Sequence, residues 1–196
     1  MREQPLWRPS LEQVAITNMT RFANDASSRW RRSFDDYAGL HQWSVEAPEE
    51  FWTSIWEWTG VIGTGSIDPV VLNAGQMPGA RWFPEVRLNF SRNLLRRQDS
   101  APALIFQAED KVTRSLSHAE LYRQVAGLAD ALQQAGIVPG DRVCGFMPNM
   151  PETVVAMLAS AAIGAVWSSC SPDFGVQGVL DRFGQISPRV LFSADG

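Results

Sequence analysis

The sequence predicts an α/β protein in two parts: a helical N-terminal extension, then the first part of a doubly wound, largely parallel sheet. Three observations predict it. Apolar residues recur at helical spacing in the first half, seven of the eight tryptophans lie before residue 98, and the second half alternates β-rich runs with capped amphipathic stretches.

In the first half, Ser10 with Gln13 reads as a capping box, and Leu11, Ala15, Met19 and Phe22 then share one face of a single helix. Ser33 with Asp36 starts a second helix carrying Phe34, Tyr37 and Leu40. Pro48 suits a first helical turn, and Glu49 and Glu50 follow at the positive end of the helix dipole. Phe51, Trp52, Ile55 and Trp56 make that helix's apolar stripe, and Gly60 ends it. Residues 60–80 read as loop, and a short helix follows around 88–97.

The texture changes near residue 98, which places a domain boundary between 1–98 and 99–196. Residues 103–107 and 112–116 flank a polar turn and read as a hairpin. Ser117 and Glu120 form a second capping box, Leu121, Val125, Leu128 and Leu132 continue one apolar face, and Gly136 fits the left-handed position past the helix end. Strands follow at 142–147, 165–169 and 189–193, separated by helices through Val154–Ala161 and Gly175–Ile186. Strands alternating with helices imply right-handed crossovers and parallel pairing. Ligands of such sheets gather beyond the carboxyl ends of strands, here Pro148-Asn149, Ser168 to Phe174 and Ser193 to Gly196.

Composition excludes several classes. Seventeen basic residues, all arginine except Lys111, face twenty-one acidic ones, for a net charge of −4. That balance gives no footprint for nucleic acid and no basic patch for a membrane surface. The longest apolar stretch, 154–167, falls short of a membrane span, and the polar, proline-interrupted first ten residues carry no secretory pattern. Cys144 and Cys170 form no CxxC pair and read as reduced, buried thiols of a cytoplasmic protein. His41 and His118 have no neighbouring cysteines, so no zinc site is expected.

The candidate chemistry is sparse. Gly63-Thr64-Gly65-Ser66 lacks the Lys-Ser/Thr ending of a phosphate loop and reads as a flexible connector. Lys111 reads as a solvated turn residue, and Glu49 and Glu50 as a dipole-favoured helix start rather than an acid–base pair. The tryptophans read as packing residues. Asn149, before Pro151, reads as a helix cap, with a ligand role at a strand end as the alternative. Ser168 to Phe174 follows a buried strand and precedes a helix. Its hydroxyls and the helix-start N–H groups suit an anionic or amide-bearing ligand, and a capped loop is the alternative. Cys170 has no histidine placed in sequence to activate it. No GxGxxG follows a candidate first strand, which argues against a dinucleotide-binding oxidoreductase.

Several motifs carry a family resemblance. Trp82-Phe83-Pro84 with Leu88-Asn89-Phe90 and Asn93-Leu94-Leu95 resembles the N-terminal segment of acetyl-CoA synthetase–type enzymes. Leu116 to Leu121 is similar to the first conserved motif of the adenylate-forming superfamily, and Met147 to Glu152 with Ala156 to Ala159 to the next block. Ile163 to Gly175, extended by Val176 to Phe183, resembles the acetoacetyl-CoA synthetase branch.

The resemblance implies that 99–196 is part of an adenylation domain and that the full enzyme joins acetoacetate to CoA using ATP and Mg2+. It implies that the loop of Ser171, Pro172 and Asp173 approaches the pantetheine arm of CoA. The family has a glycine pair there, whereas Pro172 removes one N–H donor and Asp173 is available as a structural cap. The family's Ser/Thr/Gly-rich phosphate loop, ribose-binding aspartate and catalytic lysine have no match here. The expectation is therefore an N-terminal portion that is inactive alone and binds neither ATP, Mg2+ nor CoA tightly. A binding or self-association module using an exposed sheet edge is the alternative.

Overall fold

The structure is a computed structural model, and it describes residues 6–109 and 112–194. Lys111 therefore lies outside the described residues, as do the last two residues of the third strand end. The chain divides into two compact units, Met1–Arg87 and Leu88–Gly196.

The first unit opens with α1 (Leu11–Ala15), capped by the predicted Ser10–Gln13 box. The single helix expected through Phe22 is broken. Thr17 leaves helical geometry, and its hydroxyl accepts the Thr20 N–H to start α2 (Asn18–Trp30). The apolar periodicity ran across the break because only Phe22 and Ala26 are buried, while Leu11 is 88% exposed. The next helix, α3 (Tyr37–Glu46), is also shorter than expected. Asp36, not Ser33, is its cap, accepting the Gly39 N–H at 2.8 Å. α4 (Pro48–Thr59) begins with Pro48 at its first turn and stops at Gly60 in the left-handed conformation, as predicted. Phe22, Ala26, Leu40 and Trp43 form this unit's core, edged by Phe51 and Ile55. Tryptophan N–H groups buried in it are paired: Trp30 donates to the Ser54 hydroxyl at 2.7 Å and Trp43 to Glu50 at 2.8 Å.

The expected loop at 60–80 holds short strands. β1 is Gly63–Thr64, and β2 (Val71–Leu72) pairs antiparallel with β3 (Arg81–Trp82). β4 (Arg87–Leu88) falls where the two units meet in sequence.

In the second unit, α5 (Phe90–Leu94) is capped by Asn89. Asn89 also donates to Ala161 and Ala162 carbonyls, and the buried Ser91 hydroxyl donates to the Leu158 carbonyl. These bonds dock α5 on the end of α7 (Pro151–Ala162). β5 (Pro102–Gln107) and β6 (Thr113–Ser117) form the predicted hairpin, a separate antiparallel sheet. α6 (His118–Gln134) starts at the predicted Ser117–Glu120 box, and Gly136 takes the left-handed turn after it.

Three parallel strands follow in the order β8–β7–β9: β7 (Arg142–Phe146) lies between β8 (Val166–Cys170) and β9 (Val190–Ser193). Successive residues of β7 point to opposite faces. Val143 joins the core built by Leu121, Val125, Val155 and Leu158 of α6 and α7. Cys144 joins Cys170 and Phe183, the last residue of α8 (Val176–Phe183). Helices thus cover both faces: α7 leads from β7 to β8, and α8 leads from β8 past β7 to β9. Among the described residues, no helix is long and apolar enough to cross a membrane.

Two outcomes follow from this packing. Phe183 is 6% exposed and Leu180 is 60% exposed on the same helix. Phe183→Ala should lower stability by about 3 kcal/mol and Leu180→Ala by less than about 0.5 kcal/mol, read from urea midpoints. The second concerns acid. Ser117's N–H and hydroxyl hold the Glu120 carboxyl below its ordinary value, and Arg114 does the same to Glu152. A carboxyl depressed in the folded state stabilises it above the unfolded value, about pH 4.3, and that stabilisation disappears as pH falls through the folded value. Glu120→Gln should therefore weaken the fold at pH 7 yet flatten the loss of stability on acidification below about pH 4.

Candidate functional site

The sheet's carboxyl ends open a cleft of about 620 Å³ beyond β7 and β8. One wall is Met147, Pro148 and Asn149, with Thr153 behind it, and the other runs from Ser169 to Asp173.

The first wall is set by proline chemistry. Pro151 occupies the first helical position of α7, where its missing N–H costs nothing, so the helix cap is Met150. Asn149 is therefore one residue too early to cap the helix, which corrects the sequence reading. The Pro148 carbonyl accepts the Met150 N–H at 2.9 Å and the Thr153 hydroxyl at 2.7 Å. Those bonds fix the turn and leave the Asn149 side chain exposed in the cleft.

The second wall is tied to itself. Ser171 donates its hydroxyl to Asp173 at 2.7 Å, and the Phe174 N–H donates to the Ser171 carbonyl at 3.2 Å. Asp173 does not cap α8. The cap is Gly175, which has no side chain to offer, so Asp173 serves the loop instead. The Arg182 guanidinium stacks 3.9 Å from the Phe174 ring centroid and donates to the Gly178 carbonyl. It is thereby held along α8, and among the described residues neither arginine nor lysine lines the cleft.

Cys144 and Cys170 are free and buried. Burial, with Cys170 nearby, pushes the Cys144 thiol up. No histidine lines the cleft beside Cys170, so the geometry supplies no activated thiol nucleophile.

A smaller cleft of about 260 Å³ lies across Asn149, between the 149–151 turn and the β5 edge at Leu104–Gln107. Arg114 and Glu152 clamp the hairpin there with bonds of 2.6 and 3.0 Å, and Arg114 also sits 5.2 Å from the Phe106 ring centroid. The sequence held no signal for this pair, whose partners are 38 residues apart.

The remaining sequence candidates are structural. Within the exposed Gly63-Thr64-Gly65-Ser66 segment, Gly63 and Thr64 form the short strand β1. At Gly65, φ is +111° and an added Cβ would sit 2.0 Å from the Glu85 carbonyl oxygen. Glu50 binds Arg32 at 2.9 Å and accepts from Trp43, and these bonds hold its carboxyl below the usual range. Among the described residues, no three His, Cys, Asp or Glu side chains are grouped to hold a metal ion. These residues therefore do not fit magnesium or a triphosphate, and no step is assigned to either here. The larger cleft is lined by hydroxyl, amide and apolar groups, with the Asp173 carboxylate bonded to Ser171.

Known proteins match this chain along its length. The AMP-binding enzyme family model matches residues 90–195, and the model of the acetyl-coenzyme A synthetase N-terminus matches 37–94. The acetoacetyl-coenzyme A synthetase of Rhizobium meliloti is 50% identical over 194 residues, covering 99% of this chain and 30% of its own. The acetoacetyl-CoA synthetase of Xenopus tropicalis is 39% identical, over 100% of this chain and 29% of its own. A solved acetoacetyl-CoA synthetase structure from Streptomyces lividans superposes with a TM-score of 0.93 at 44% identity, covering 99% of this chain and 30% of that one. The chain thus spans about three tenths of the length of the curated relatives it matches. With more than half its residues under one family model, the chain belongs to the AMP-binding enzyme family, and within it the chain is similar to acetoacetyl-CoA synthetases.

Proposed function

We propose that this chain supplies the N-terminal portion of an ATP-dependent acetoacetate–CoA ligase in the cytoplasm, with residues 1–98 as the N-terminal segment and 99–196 as part of the ligase domain. The overall reaction converts acetoacetate, ATP and CoA to acetoacetyl-CoA, AMP and pyrophosphate. The acid's carboxylate oxygen attacks the α-phosphorus of ATP and expels pyrophosphate. The CoA thiol then attacks the acyl carbon, loses its proton and expels AMP; none of the described residues is given a part in holding Mg2+ or the phosphates.

The observation that carries this reading is the cleft beyond β7 and β8 in a chain 50% identical to an acetoacetyl-CoA synthetase. In this reading Ser171, Pro172 and Asp173 face the pantetheine arm. Pro172 offers no N–H, so the loop shapes the passage instead of donating a continuous set of backbone bonds. Among the described residues the cleft has no cationic lining to hold the phosphates.

A second reading, a non-catalytic binding or self-association module, draws on exposed apolar surface. Val176 and Leu180 on α8 are 79% and 60% exposed, and Leu191 on β9 is 54% exposed. Such a face favours association with a second copy or another partner.

The expected outcome is that the 196-residue chain, given acetoacetate, ATP, Mg2+ and CoA, releases no pyrophosphate in a coupled assay; measurable turnover refutes it. Light scattering is expected to show concentration-dependent association, and Val176→Glu with Leu180→Glu should abolish it. A strict monomer before any substitution counts against the exposed face as an interaction surface.

A further inference from the structure

The cleft wall from Ser171 to Asp173 is exposed, and its own bonds do not tie it to α8. Ser171 and Asp173 bond each other, and the Phe174 N–H returns to the Ser171 carbonyl. Those bonds close the loop on itself. Its place therefore depends on what holds its last residue, Phe174, whose ring is 39% exposed.

Phe174 is held by Arg182. The guanidinium carbon lies 3.9 Å from the ring centroid, inside the range of a cation over an aromatic face. The same guanidinium donates to the Gly178 carbonyl at 2.9 Å. Gly178 is the glycine of α8, and a Cβ there would stand 3.4 Å from both the guanidinium and the Phe174 ring. The stacked pair thus lies directly on the helix backbone. Among the described residues Arg182 forms no ion pair, so the ring has no carboxylate as a rival. The next residue, Phe183, is buried with Cys144 and Cys170 and anchors this end of α8 in the sheet's core.

We propose that Arg182 is a positioning residue of the cleft: by stacking on Phe174 it latches the 171–173 wall to α8 and so sets the width of the opening. The latch acts on the wall, whichever ligand enters. It requires a planar cation, because one group must both cover the ring and donate in its own plane to the Gly178 carbonyl. A lysine ammonium offers the charge without the plane.

The two thiols report wall movement and general unfolding separately. Cys170 lines the cleft where the loop begins and is 6% exposed, whereas Cys144 has no exposed surface. Labelling by an aromatic disulfide, with each site resolved by mass spectrometry, is compared between variants. Arg182→Ala is expected to speed labelling of Cys170 two- to fivefold and to cut hydrogen-exchange protection of the Phe174 N–H by a similar factor, the loss of one exposed cation–ring contact. Cys144 labelling is expected to stay unchanged. Phe174→Leu should reproduce that pattern, and the double variant should exceed neither, since both remove one contact. Arg182→Lys should recover less than half of the effect. Arg182 is exposed, so its replacement leaves the fold intact. Equal acceleration at both thiols would mean a general loss of stability and overturns the latch. Unchanged Cys170 labelling in Arg182→Ala, or full recovery by lysine, overturns it as well.

Discussion

The second unit depends on the burial of one strand from both sides. Val143 and Cys144, adjacent in β7, have no exposed surface, and they face different cores. Both edges of β7 are paired in parallel, to β8 and to β9. Its backbone polar groups therefore find partners within the sheet, the condition for burying a strand completely. Gly145 completes the arrangement. A Cβ there would meet the Trp167 ring at 2.6 Å, so only glycine lets the indole of β8 lie across the central strand toward Phe192 of β9.

The site inherits its position from that strand. Once β7 ends at Phe146, the chain must turn into α7, and Pro148 and Pro151 decide where. β8 ends one strand away and turns toward the opposite face, so the two loops part and a cleft opens between them. Its polar groups are largely bonded within the walls. The hydroxyl of Ser171 and the carboxylate of Asp173 stabilise the loop that carries them, and the nearest arginine on α8 is stacked on Phe174. Cations help to hold a nucleotide's phosphates, and among the described residues these walls carry no arginine or lysine.

The N-terminal unit reaches order by another route. Its helices are short, and much of its aromatic surface remains accessible, with Trp7 71% exposed. What fixes it is edge-to-face aromatic packing, as between Phe22 and Phe51 and between Trp43 and Phe51, with indole N–H groups directed to Ser54 and Glu50. Glu50 joins three elements of the design at once. It lies in the first turn of α4, pairs with Arg32 beyond α2, and accepts from Trp43 of α3.

The sequence by itself determined the features that are local in physical origin. The capping boxes at Ser10 and Ser117, proline at the starts of α4 and α7, the left-handed glycines Gly60 and Gly136, and the β5–β6 hairpin each follow from interactions within a few residues. The family motifs were legible too, because they are runs of consecutive residues. The first helix breaks at Thr17, whose hydroxyl caps a new helix start, a local bond that the apolar periodicity concealed. Tertiary structure decided what depends on distant partners. It gave Asp36 the cap expected near Ser33. It moved Asn149 from cap to cleft wall, turned Asp173 toward Ser171, and joined Arg114 to Glu152. Side-chain direction and through-space pairing are set when elements pack, and no local pattern encodes them.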